Sequence, residues 1–368
     1  MFPLRGVSNE AHIGQVTRMR LRRVDCSGPG FHRRRRGRGF EYLDEDARPL
    51  RDADAVERFR ALAIPPAWTD VWICPAVNGH IQAVGTDAAG RRQYLYHPRW
   101  RERRDQEKFD RMLDFAKALP KVRRVTSRHL RTDGMPRERS LACAVRLLDR
   151  GFFRIGGETY AEENGSYGLA TMRKEHVSFD GPAVVFDYPA KSGRVRLQSL
   201  VDPDVRDVVA RLRRRRAGGP ELLGYREGRE WRDIRSADIN AYIKDIAGDD
   251  YSAKDFRTWH GTVLAAVALA VSFPSVHPPA ARKRAIVRAV QEVSHYLGNT
   301  PAVCRKSYID PRTIDRFDSG DTVAWVLGKL AGDVDAPEVQ PMLERAVVEL
   351  LSDADRPRQN HAVAALAA

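Results

Sequence analysis

Cysteine is scarce in this chain of 368 residues. Cys26, Cys74, Cys143 and Cys304 stand far apart, no CxxC pair occurs, and there is no HExxH run. Neither a structural zinc site nor a zincin-type hydrolase is expected, and the thiols are expected to be free in a reducing compartment. Long apolar runs are also missing. The most apolar stretch, residues 261–273, falls short of the ~20 residues that a bilayer span needs and reads as a buried helix. The first residues carry no apolar signal region, so the expected location is cytoplasmic, away from any membrane. Acidic residues are the third shortage: 49 Asp and Glu against 63 Lys and Arg, a formal net charge of +14. Their local clusters, Asp44-Glu45-Asp46 and Asp249-Asp250, read as solvated loops, and no metal or cofactor is expected.

The cationic excess favours a polyanionic partner, because each neutralised phosphate releases condensed counterions. Arginine dominates lysine throughout, so a basic background composition accounts for the same charge. Charge alone leaves both open.

The fold class read from the pattern is α+β: a small strand-rich N-terminal domain followed by a mainly helical domain with a small antiparallel sheet. Residues 1–23 read as a disordered tail and residues 24–105 as the first domain. That domain has strands at 40–43, 71–75, 80–86 and 91–97 and a short helix at 59–64 ahead of Pro65-Pro66. Trp68 and Trp72 read as core. The basic run at 32–39 reads as a solvated tail or as an arm on the backbone of a duplex. Residues 100–117 read as a helical connector. Residues 106–355 read as the second domain, with helices at 138–150, 204–216, 236–247, 252–270, 279–297, 321–330 and 339–351. Short strands at 169–173, 176–179, 184–188 and 194–200 form an island with turns at Asp180-Gly181 and Ser192-Gly193. Ser252 and Asp255 have capping-box spacing, and Thr300-Pro301 is an N-cap followed by proline at the first helical position. Residues 356–368 read as a tail.

The run from Gly298 to Ile309 delivers Tyr308 behind Arg305 and Lys306. A phenol among cations fits a nucleophile aimed at a phosphate; it equally fits a core tyrosine beside surface charges. Phosphodiester transfer needs an in-line nucleophile, neutralisation of the non-bridging oxygens and a proton for the leaving alkoxide. Arginine suits the second task, since its planar fork binds two phosphate oxygens and keeps its charge. Lysine suits the third. Arg154 follows a helix within Phe152-Phe153-Arg154, Lys191 sits at a hairpin tip, Arg257 opens an apolar helix, and Asn299 precedes the helix of Tyr308. Taken singly, each also reads as a capping or solvated residue.

Together, and in this order, Arg154, Lys191, Arg257, Asn299 and Tyr308 resemble the site set of the type IB DNA topoisomerases, specifically the compact poxvirus-like and bacterial branch. Four stretches carry the resemblance: Gly90 to Tyr96, Glu163 to Leu169, Lys254 to Thr258, and Leu297 to Pro301 with Arg305 to Tyr308. It spans residues 24–309. Asn299 stands where the poxviral pattern has histidine; it can donate a hydrogen bond but cannot shuttle a proton. The resemblance implies Tyr308 as nucleophile and Lys191 as general acid. It implies Arg154, Arg257 and Asn299 as stabilisers of the transition state, with no ATP or metal. It also implies a monomer acting on duplex DNA at the nucleoid, with Arg91, Arg92, Gln93, Tyr94, Tyr96, Tyr160, Arg305 and Lys306 as DNA contacts. Strand period two keeps Gln93 off the face shared by Tyr94 and Tyr96, so a regular strand cannot aim all three at DNA. A tyrosine recombinase, which His260 three residues after Arg257 partly echoes, and a non-catalytic architectural DNA-binding protein are the alternatives.

Overall fold

A computed structural model describes residues 20–273, 278–330 and 339–352. The expected tail at 356–368 and most of that at 1–23 lie outside these residues, while Arg22 forms a bridge with Gly79. The chain divides into two compact units between Lys108 and Phe109.

The first unit is built on a five-stranded antiparallel sheet of order β2-β1-β3-β4-β5. Its strands are β1 (Phe31–Arg36), β2 (Gly39–Leu43), β3 (Thr69–Ile73), β4 (Ile81–Thr86) and β5 (Arg92–Tyr96). The basic run at 32–39 is therefore not a free tail. It forms β1 and the turn into β2, with Arg33 half-buried and Arg34 and Arg36 exposed. Arg33 donates to the carbonyls of Ile64, Pro65 and Trp68, and Arg34 and Arg36 both bind Glu41. Helix α1 (Ala53–Ala61) starts six residues earlier than expected, since Asp52 caps the N–H groups of Asp54 and Ala55. Phe59 on α1 packs with Ile64, Val71, Ile73 and Ala83, and Trp72 is buried in a second cluster.

Helix α2 (Pro98–Leu130) runs well past the expected end at Lys117 and through Pro120. Leu119, Val122, Thr126 and Leu130 are all buried, and that burial outweighs the backbone bond that proline removes. In the second unit, α3 (Arg137–Gly151), α5 (Pro203–Arg214), α6 (Ser236–Ala247) and α7 (Ala253–Ser272) enclose one large apolar core. Between α3 and α5 lie the short α4 (Glu158–Asn164) and a sheet of order β6-β7-β8. Its strands are β6 (Val177–Asp180), β7 (Ala183–Ala190) and β8 (Arg194–Val201). Residues 169–173 are not the expected strand: Leu169–Thr171 is a 3-10 turn, with Thr171 bonded to the backbone of Gly168. A hairpin, β9 (Gly224–Glu227) and β10 (Glu230–Asp233), was not expected.

Helices α8 (Pro279–Leu297) and α9 (Pro301–Ser307) follow, and α8 packs on α7 through Ala285, Ala289, Val293 and Leu297. The chain ends in α10 (Pro311–Ser319), the short α11 (Ala324–Leu327) and α12 (Val339–Ser352). The helix expected at 321–330 is confined to α11 and one 3-10 turn.

Candidate active site

Four of the five residues expected at the site, Arg154, Lys191, Arg257 and Tyr308, line one cleft of about 320 Å³ in the second unit, together with Tyr160, Tyr167 and Lys254. The fifth, Asn299, is hydrogen-bonded to both arginines.

Arg257 is delivered by the first turn of α7. Asp255 fixes that turn by accepting from the backbone N–H and the hydroxyl of Ser252, so the capping box is formed. Arg257 is buried, and its Nη1 donates to Phe152 O while Nη2 donates to Leu297 O and Asn299 Oδ1, each at 2.7 Å. Arg154 leaves α3 through Phe152, which adopts left-handed backbone. Its Nη2 donates to Gly298 O at 2.7 Å and Asn299 Oδ1 at 3.1 Å. The segment of Arg154 is held by the stretch 168–170: Leu169 N and Ala170 N donate to the carbonyls of Arg154 and Ile155. There Gly156 and Gly168 touch so closely that a Cβ on Gly168 would meet Gly156 Cα at 2.4 Å.

Among the described residues the acceptors of Arg154 and Arg257 are neutral, namely three carbonyls and one amide. This distinguishes them from Arg123, Arg139 and Arg146, each of which binds a carboxylate. The positive charge in the cleft is therefore not cancelled from within. Burial pushes the pKa of both guanidiniums below its ordinary value, and for Arg257 the charge of Arg154 adds to that push. Both remain cationic at neutral pH, because arginine's ordinary pKa lies so far above it. An anion between them would relieve both effects.

Tyr308 caps the end of α9, which Thr300 opens by accepting from Val303 N. Two contacts pin its backbone. Thr262 Oγ1 donates to Tyr308 O at 3.3 Å, and the hydrogen of Gly261 faces Tyr308, where a Cβ would lie 2.7 Å from the same oxygen. The guanidinium carbon of Arg257 lies 5.2 Å from the centre of the Tyr308 ring. Lys191 is exposed in the turn between β7 and β8, with Nζ 5.6 Å from the ring centre of Tyr160 on α4.

Arg305 and Lys306 are exposed in the last turn of α9. In the first unit Arg91 and Gln93 share the carboxylate of Asp87, whose pKa is pulled down to about 2, chiefly by the hydrogen bonds of Arg91. Tyr94 and Tyr96 stack with ring centres 6.1 Å apart, and Arg92 lies over Tyr94. Gln93 thus faces away from the two tyrosines, as the strand period requires. His260 does not line the cleft. It is buried against Phe152, with Nε2 3.5 Å from Asp149 Oδ1.

Two contributors were missed in the sequence. Lys254 shares a face of α7 with Arg257, and the i, i+3 spacing after the capping box carries that signal. Arg196 on β8 binds the end of α8, and nothing in the sequence pairs those two elements.

Residues 97–320 match the family described as the catalytic core of eukaryotic DNA topoisomerase I, and residues 39–87 match the N-terminal domain of bacterial DNA topoisomerase IB. DNA topoisomerase 1B of Acanthamoeba polyphaga mimivirus is 31% identical over 299 residues, covering 79% of this chain and 88% of the viral one. DNA topoisomerase I of monkeypox virus is 21% identical and DNA topoisomerase 1B of vaccinia virus (strain Copenhagen) 20% identical, each over 262 residues, 70% of this chain and 80% of theirs. No helix among the described residues is long and apolar enough to cross a membrane. With one match spanning the helical unit as far as α10, another inside the N-terminal sheet and the mimivirus relative aligned across most of both chains, this protein belongs to the type IB DNA topoisomerase family.

Proposed function

We propose that the chain relaxes supercoiled duplex DNA by cutting one strand through Tyr308 and resealing it. Tyr308 Oη attacks the scissile phosphorus, its proton passing to solvent. The P–O5′ bond breaks, Lys191 protonates the departing 5′-oxygen, and a 3′-phosphotyrosine remains. Arg154 and Arg257 neutralise the non-bridging oxygens. Asn299 Oδ1 is committed to both arginines, which leaves Nδ2 to donate to a phosphate oxygen. Rotation of the free end releases supercoils, and attack by the 5′-hydroxyl reverses the step. The phosphotyrosine conserves the energy of the broken bond, so the reaction as proposed runs without ATP and with fixed cations in place of a metal.

The observation that carries this reading is a buried arginine, Arg257, and a half-buried one, Arg154, seated together on neutral acceptors beside a tyrosine. Such an arrangement is costly unless an anion is its complement. The chain acts as a monomer in this reading, in the cytoplasm at the nucleoid. Duplex contacts come from Arg91, Arg92, Gln93, Tyr94, Tyr96, Tyr160, Arg305 and Lys306, and affinity falls steeply with salt. A supercoiled-plasmid assay in EDTA without ATP tests it. Relaxation by the parent and none by Tyr308→Phe is expected; equal relaxation by both proteins rejects the assignment.

A further inference from the structure

The C-terminal end of α8 carries more cations than a helix end needs. A helix leaves its last four carbonyls without intrahelical partners and bears partial negative charge there. In α8 the turn at Gly298, in left-handed backbone at φ 62°, satisfies Ser294 O and His295 O through the N–H groups of Asn299 and Gly298. The carbonyls of Tyr296, Leu297 and Gly298 are taken by three arginines, one from β8, one from α7 and one from the loop after α3. Arg196 of β8 donates to Tyr296 O at 2.7 Å and to His295 O at 3.0 Å. Arg257 of α7 takes Leu297 O, and Arg154 takes Gly298 O.

We propose that Arg196 is a positioning residue for the cleavage site, holding the last turn of α8 so that Asn299 and the carbonyls of Leu297 and Gly298 stand where the two cleft arginines need them. This rests on the cleavage reading above. Arg196 does not line the cleft, and its fork is spent on backbone oxygens, so it is not offered as a phosphate ligand. Its guanidinium also closes the space over Gly298, where a Cβ would meet Arg196 Nη1 at 2.8 Å. The turn is held from below by helix geometry and from above by Arg196. Release of the upper contact frees the short link from Leu297 to Thr300 that carries Asn299. Because Lys191 opens the turn that leads into β8, the same strand also ties the lysine loop to the end of α8.

The test is single-turnover cleavage of a duplex at saturating protein, with DNA affinity and melting temperature measured in parallel, for Arg196→Ala, Arg196→Lys, Asn299→Ala and the double variant Arg196→Ala/Asn299→Ala. Displacement of a positioned group by about 1 Å costs up to ~100-fold in rate, so Arg196→Ala should cleave about 10- to 100-fold more slowly with unchanged affinity. Arg196→Lys, which keeps a charged donor but not the planar fork, should recover part of the rate. The double variant should be little slower than Asn299→Ala, since both changes act through one link. Unchanged cleavage by Arg196→Ala overturns the proposal. So does weaker DNA binding with a normal saturated rate, or full additivity with Asn299→Ala. A parent that forms no covalent adduct, or a Tyr308→Phe variant that still does, instead rejects the cleavage reading.

Discussion

Asn299 Oδ1 accepts from Arg257 Nη2 at 2.7 Å, and the same oxygen takes Nη2 of Arg154 at 3.1 Å. Two guanidiniums on one acceptor leave no choice of amide orientation, because an amide nitrogen cannot accept from either. One neutral side chain thus spaces two cations that would otherwise repel, and it turns its own donor away from them.

Asn299→Ala should therefore damage cleavage more than binding. Loss of a single preorganised donor to a developing oxyanion costs about 10²–10³ in rate. The saturated single-turnover rate should fall by that order while affinity for an uncut duplex changes little. Asn299→Asp keeps the acceptor but replaces the donor with negative charge, and should be at least as slow.

Lys191→Ala should slow cleavage by about 10²–10⁴, the span of general acid catalysis. A substrate with sulfur at the bridging 5′ position leaves as a thiolate and needs no proton. On that substrate Lys191→Ala should cleave nearly as fast as the parent. A defect of equal size on both substrates would assign Lys191 to binding or charge stabilisation instead.

Gly261→Ala sets a methyl group 2.7 Å from Tyr308 O and 3.2 Å from Tyr308 Cβ. Backbone oxygen cannot swing aside, so the link between α9 and α10 must move or α7 must shift. Overpacking of this kind costs about 1–3 kcal/mol. The melting temperature should drop accordingly, and cleavage should fall while salt-dependent DNA binding persists.

Behind the cleft, Asp149 is buried and receives two bonds from Arg123, which also binds Glu344 of α12. Burial alone would raise the Asp149 carboxyl, but His260 and Arg123 outweigh it and hold the pKa well below the usual carboxylate range. A depressed folded pKa contributes stability that is fully present above the unfolded value of 3.8 and is lost as pH falls below it. Asp149→Asn should lower unfolding free energy near pH 7 by about 1–3 kcal/mol, since Arg123 loses the charge of one partner and keeps Glu344. It should also flatten the loss of stability below pH 4 in denaturant titrations. An unchanged acid slope would place the linkage elsewhere.

Much of the frame was legible because its signals are local. The limits of α6 and α8 matched the apolar period and the prolines, and Ser252 with Asp255 and Thr300 with Pro301 capped their helices as read. Helix α10 bears the same N-cap-and-proline signal, at Asp310-Pro311. The β9–β10 hairpin is short and charged, and only Tyr225 and Trp231 pack on the core, so its period is faint. Residues 169–173 looked like a strand by composition, yet the close approach of Gly156 and Gly168 and the Thr171 hydroxyl favour a turn. The cleft residues were found by order and local context. Their arrangement was not, because backbone carbonyls at the end of α8 hold the arginines, and a carbonyl leaves no mark in a sequence.

The central claim is that Tyr308 becomes the covalent link to DNA. The direct measurement is to mix the protein with a duplex, stop the reaction with denaturant, digest both components and identify the modified peptide by mass spectrometry. A phosphodinucleotide on Tyr308, joined through the 3′-phosphate and absent in Tyr308→Phe, is the expected result. An adduct on any other residue, a 5′-phosphate linkage, or relaxation with no adduct at all would contradict it.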